Sequence, residues 1–173
     1  MTEAPLQTFR SCARLPARQT STSKDSMSSD APTSIQPTAQ VLPAEGYSGD
    51  IHPELAWQWM SSGEAVLIDV RTDAEREWVG RVPGAVALAW KLWPGMALNP
   101  AFDAGLQESV PDAKKALMLC RSGVRSVAAA RRASELGIEA YNILEGFEGD
   151  PDAQSHRGTR GGWRLRGLPW EQS

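Results

Sequence analysis

Apolar positions fall into two kinds of run along this chain. Ala65-Val-Leu-Ile-Asp-Val70, Ala116-Leu-Met-Leu119 and Ala140-Tyr-Asn-Ile-Leu144 are short, nearly continuous and bounded by turn residues. Runs of that length are too short for helices and read as strands buried on both faces. Between them lie segments with helical spacing. His52 to Gly63 has Pro53 in its first turn, Glu54 early and Gly63 as a stop, with Leu55, Trp57 and Trp59 on its packed side. Thr72 to Val79 opens on an N-cap residue followed by acids. Ser126 to Gly137 is rich in Ala, carries Arg131 and Arg132 late and meets a glycine. The Pro83-Gly84 pair marks a tight turn before a short strand, Ala85 to Leu88. Residues 90–110 read as irregular, with a helix from Pro100 to Ser109. Trp90 and Trp93 there are either core packing or the wall of a pocket. Strands alternating with helices imply an α/β domain around a parallel sheet, with ligands collecting beyond the strand C-termini.

Residues 1–46 lack this patterning. They are dominated by Ser, Thr, Pro, Ala and Gln and cannot bury enough surface to offset their ordering entropy. They read as a tail ahead of a domain at 47–173. Arg10, Arg14 and Arg18, with Glu3 the one acid in the first 24 residues, have the flavour of an organellar transit peptide. A disordered leader, or a true start at Met27 rather than Met1, is preferred.

One strand end carries the candidate chemistry. Cys120 sits where Ala116–Leu119 stops, and Gly123 supplies a turn before the helix. A loop between a buried strand and a helix N-terminus directs unpartnered backbone N–H groups inward, where they hold negative charge on sulfur. Arg121 and Arg125 add positive charge and favour thiolate. Two arginines within five residues do not fit a purely structural thiol. Asp69, Arg71 and Glu77 either form a charged network behind this loop or are ordinary surface ion pairs. Arg157 and Arg160 are read as a solvated basic face rather than a pocket mouth. Trp163 and Trp170 are expected to anchor the C-terminal segment.

Composition narrows the rest. The net charge of −3 offers no footprint for nucleic acid. Cys12 and Cys120 lie in unlike regions, so a disulfide is not expected and a reducing, cytoplasmic setting fits. His52 and His156 form no Cys/His cluster with zinc spacing, and no apolar run approaches a membrane span.

Leu67-Ile-Asp-Val-Arg71, Gly80-Arg-Val-Pro-Gly-Ala85, Cys120-Arg-Ser-Gly-Val-Arg-Ser126, Glu145-Gly-Phe147 and Gly161-Gly-Trp163…Gly167-Leu-Pro169 follow the order seen in rhodanese domains. Over residues 47–171 the chain resembles that family of sulfurtransferases. The resemblance implies a three-layer α/β/α sandwich around a five-stranded, mainly parallel sheet. It implies a Cys120 persulfide, filled from thiosulfate or a persulfide and emptied by a thiol or cyanide, with a sulfur-relay protein as a further partner. Backbone and side chains of Arg121, Ser122, Gly123, Val124, Arg125 and Ser126 would cradle the anion, with Asp69 and Arg71 in support, and no metal or organic cofactor is needed. Two departures stand out: Arg81 and Val82 replace the usual His and Ile, and Gly149 to Arg160 is long. Related phosphatases and arsenate reductases place an arginine six residues after the cysteine, where this chain has Ser126, with Arg125 at five. A catalytically silent binding module is the third alternative.

Overall fold

The computed structural model describes residues 40–111 and 114–172. Expectations for the leader, including Cys12 and the choice between Met1 and Met27, lie outside them. In chain order the elements are β1 (Gly49–Ile51), α1 (Pro53–Ser61), β2 (Ala65–Asp69), α2 (Asp73–Val79), β3 (Val86–Ala87), β4 (Lys91–Leu92), β5 (Ala97–Leu98), α3 (Phe102–Ser109), β6 (Lys115–Leu119), α4 (Val124–Glu135) and β7 (Ala140–Ile143). Five strands form one all-parallel sheet in the order β1-β7-β6-β2-β3. β4 and β5 form a separate antiparallel hairpin.

The alternation of β6 builds both faces of the core. Leu117 and Leu119 point to one side, where Ile51, Leu55, Ala56, Leu67, Ile143, Phe147 and Trp163 gather. Ala116, Met118 and Cys120 point to the other, against Phe102, Leu106 and the α4 alanines. Period-two geometry requires that split. On α4 the buried positions are Ser126, Ala129, Ala130 and Ala133, one stripe at helical spacing. Small side chains there let the helix lie close to the sheet. The expected sandwich is therefore present, a five-stranded parallel sheet with helices on both faces.

The differences from expectation are local. Pairing begins ahead of residue 47: the Leu42 N–H donates to the Asp50 carbonyl at 2.8 Å, and the bond is returned at 2.9 Å. β1 has only three residues, too few for its alternation to register as a pattern. The stretch read as irregular contains the β4–β5 hairpin. Its base is tied to the tip of β2, since the Trp90 N–H donates to the Val70 carbonyl at 3.1 Å. Asn99 closes the neck, its Nδ2 donating to the Ala89 carbonyl at 2.9 Å and its backbone N–H to the Trp90 carbonyl at 3.0 Å. Trp90 packs edge-on against Phe102, so it belongs to the core, whereas Trp93 stands outside it.

The C-terminal segment is anchored by Trp163, which is fully buried, lies edge-on to Trp57 and donates its indole N–H to the Pro169 carbonyl at 2.8 Å. Trp170 is only partly covered, lies edge-on to Phe147 and has the Arg164 guanidinium over its ring. Arg81 has a local use: its Nε donates to Glu171 at 2.9 Å, and the two backbones form a β-bridge. Val82 beside it fills the core. No helix among the described residues is long and apolar enough to cross a membrane.

Candidate active site

The site forms where β6 ends and α4 begins. Gly123 takes φ +91°, a left-handed conformation that turns the chain back into the helix with no Cβ penalty. That turn aims the Gly123 N–H at Cys120 Sγ, 3.2 Å away. One helical turn on, the Ser126 hydroxyl donates to the same sulfur at 3.1 Å. Ser126 is wholly buried, so its hydroxyl is held by packing. Cys120 itself is 1% exposed yet lines a pocket of about 640 Å³. Sulfur at this place meets two donors and the N-terminal end of a twelve-residue helix, all of which favour negative charge.

A second loop braces the first from below. The Phe147 N–H donates to the Cys120 carbonyl at 2.8 Å, and the Glu148 N–H to the Arg121 carbonyl at 3.0 Å. The close approach needs Gly146. A Cβ there would fall within 2.5–2.6 Å of Cys120 O, Arg121 C and Ser122 N, and φ is +62°. The brace is itself held: the Glu145 carboxylate accepts the Gly162 N–H and the Arg166 guanidinium, each at 2.8 Å. Arg166 holds that carboxyl below the usual carboxylate range. Arg166 also reaches Glu54 at 2.5 Å, linking the brace to α1.

Each expected site residue has a definite place. Ser122 and Arg121 line the pocket, Arg121 partly exposed with Glu148 3.8 Å away. Val124 begins α4 and is 75% exposed on the rim. Arg125 lines the pocket as well, with its fork engaged by a neighbour. Its Nη1 and Nη2 donate to the two carboxylate oxygens of Glu75 at 2.8 and 2.5 Å. Glu75 is the residue that the sequence reading passed over. Thr72-x-x-Glu75 is a capping box, with Thr72 N–H and hydroxyl each 3.0 Å from Glu75 Oε2. Burial alone would raise the Glu75 carboxyl. The hydrogen bonds from Arg125 and Thr72 outweigh it and hold the group at about 2. The same pair raises Arg125 above its ordinary value, first through the bond to Glu75, with the nearby Cys120 charge a lesser contribution.

Asp69 and Arg71 lie behind the loop and are fully buried together. Arg71 Nε and Nη2 meet the Asp69 carboxylate at 2.9 and 2.6 Å, Nη2 also donates to the Gly80 carbonyl at 2.8 Å, and the guanidinium lies 3.9 Å from the Phe147 ring centre. Glu77, expected as the third member, is exposed and outside this network. Its place is taken by Arg76, whose Nη1 donates to the Asp69 carbonyl at 3.1 Å and also to the Arg71 carbonyl. The helical spacing decides between the two: Arg76 is on the buried side of α2 and Glu77 is not. Arg157 lines the pocket, against the solvated reading, and donates to the Gly149 carbonyl at 2.6 Å. Arg160 is exposed. Trp93 and Met96, from the hairpin, complete the wall with Val79 and Ala74. Among the described residues no group of His, Cys, Asp and Glu gathers to hold a metal ion.

The family model described as a rhodanese-like domain matches residues 52–150. The chain belongs to the rhodanese-like family. Among relatives of this rhodanese-like chain is the RP600 homolog of Rickettsia rickettsii, described as uncharacterized. It is 34% identical over 115 residues, covering 65% of this chain and 87% of the relative. A protein of Actinobacillus succinogenes named thiosulfate sulfurtransferase GlpE is 30% identical over 123 residues, covering 70% of this chain and 89% of that one. The crystal structure of Rv0390 from M. tuberculosis superposes with a TM-score of 0.67 at 44% identity, over 73% of this chain and 99% of that one. The rhodanese-like fold is thus shared with a solved structure over nearly its full length.

Proposed function

We propose that this rhodanese-like chain is a sulfurtransferase that carries a sulfane sulfur on Cys120. The observation that carries the reading is Sγ at a strand tip with the Gly123 N–H and the Ser126 hydroxyl both directed at it. The likeness to a named thiosulfate sulfurtransferase supports it at the level of family.

In the first half-reaction the Cys120 thiolate attacks the outer sulfur of thiosulfate or of a persulfide. A new S–S bond forms, the donor's S–S bond breaks, and sulfite or a thiolate leaves with the electron pair. In the second, cyanide or an acceptor thiolate attacks that outer sulfur and Cys120 leaves as thiolate. Atoms and charge balance in both steps without a metal or redox cofactor. The added sulfur extends into the pocket, toward the mouth of the loop. There the remaining loop N–H groups and the Arg121 guanidinium stabilise its charge. Arg125, tied to Glu75, acts through position: it fastens α2 to the start of α4 and fixes the pocket wall.

The test is direct. Thiosulfate treatment should add the mass of one sulfur atom to Cys120, and cyanide should remove it as thiocyanate. Turnover of p-nitrophenyl phosphate with no response to thiosulfate would instead select the phosphatase alternative. No reaction with either, together with slow alkylation of Cys120, would select the binding module.

A further inference from the structure

The pocket is much larger than a small inorganic donor requires. At about 640 Å³ it falls in the range, roughly 300–1,000 Å³, of sites that enclose organic ligands. Its lining mixes apolar groups with charged ones, the Glu75–Arg125 pair among them. The apolar groups are Trp93 and Met96 at the hairpin tip, with Val79 and Val124. Trp93 is 68% exposed and Val124 75%, so large hydrocarbon surfaces meet water beside a buried sulfur. The cations not paired with Glu75 are Arg121 and Arg157. Arg157 gives one N–H to the Gly149 carbonyl, and a guanidinium has five. Arg125, the arginine nearest in sequence to an anion-binding role, is already neutralised by Glu75.

The hairpin is held in place rather than loosely attached. Its base is bonded to the end of β2, the strand beside β6, and Asn99 closes its neck. The tip therefore stands over the end of the strand that delivers Cys120.

Resting on the sulfurtransferase reading, we propose that Trp93 and Met96 determine donor specificity. They select a sulfane sulfur carried on an apolar organic body, with the anionic reacting group turned toward Arg121 and Arg157. An organic thiosulfonate illustrates the step. Cys120 thiolate bonds to its terminal sulfur, the bond from that sulfur to the sulfonyl group breaks, and a sulfinate leaves with the electron pair. The body lies against the indole, and the departing sulfinate faces the guanidinium groups. An organic persulfide fits in the same way, with a thiolate as leaving group.

The experiment measures thiocyanate formation by the full chain at saturating cyanide, with benzenethiosulfonate and thiosulfate as alternative donors. The expected ratio of kcat/KM, aryl donor over thiosulfate, is above about tenfold. Trp93→Ala should lower that ratio at least about fivefold, mainly through the KM of the aryl donor, while Trp93→Phe retains most of it. Met96→Ala should act in the same direction more weakly. A wild-type ratio near one, or a ratio that Trp93→Ala leaves unmoved in a protein with native circular dichroism, overturns the proposal. Sulfur transfer from neither donor would sink the sulfurtransferase reading and this one with it. Equal transfer from both sinks only this one.

Discussion

Two neighbouring strand ends use the same architecture for opposite purposes. β2 and β6 run side by side in register, Asp69 level with Leu119, and each leads through a short loop into a helix. At the end of β2 the side chains close on one another. Asp69 takes Arg71 in a two-pronged pair and Arg76 caps the carbonyls, so the charges there are spent on one another, with Arg71 Nη1 left buried and unpartnered. At the end of β6 the donors converge on a lone sulfur, and the charged side chains stand back at the rim. A parallel sheet offers several such ends. On the proposed reading, what makes one of them chemical is a sulfur left facing a cavity with donors aimed at it.

Replacing the sulfur strikes this contrast hardest. Cys120→Ser should lower sulfur transfer by at least about a thousandfold, read as thiocyanate release. Stability should stay within about 1 kcal/mol, since volume and burial barely change. At the other strand end the loss should appear in stability first. Asp69→Asn leaves Arg71 buried beside a neutral amide and should cost about 3–5 kcal/mol in urea unfolding. A cost under about 1 kcal/mol would mean that the two ends differ less than their geometry implies.

Gly146→Ala probes the brace between them. The added Cβ must displace the Cys120 loop backbone, at a cost of about 1–3 kcal/mol. A displacement approaching 1 Å should slow transfer by about a hundredfold. Turnover that survives intact would show the loop tolerating movement. Smaller again is Arg125→Ala, which removes two charge-assisted bonds to Glu75 and should destabilise by about 1–3 kcal/mol. A variant that loses donor binding with no loss of stability would return Arg125 to a substrate-binding role.

The mildest effect is with acid. Glu75 titrates at about 2 in the folded chain against an ordinary 4.5. A depressed carboxyl contributes stability that is complete above its unfolded value and is lost as pH falls from 4.5 toward 2. Between about pH 6 and pH 3, unfolding midpoints should therefore fall more steeply for the wild type than for Glu75→Gln. Parallel curves would remove the carboxylate from the link.

Most of the framework was legible because it is local. The continuous apolar runs at β2, β6 and β7, the Ala stripe of α4 and the Thr72 cap each announce themselves within a few residues. The place of Cys120 between a strand and a helix was legible for the same reason, its loop being adjacent in sequence. The hairpin was not, because its strands have two residues each and its apolar tip faces the pocket mouth rather than a core, so no period marks it. The partner of Arg125 was hidden by distance: Glu75 lies fifty positions away, and within its own segment it is fully explained as a helix cap. Arg71 showed its charge but not its burial, which requires Phe147 and the Gly80 carbonyl from remote parts of the chain.

Trp163 carries a practical lesson about where such a molecule can be cut. The family-model match stops at residue 150, yet this indole sits at zero exposure among the side chains beneath the sheet. A fragment trimmed at residue 150 would leave an indole-sized hole open to water, and with it lose the strut under the Glu145–Glu148 turn.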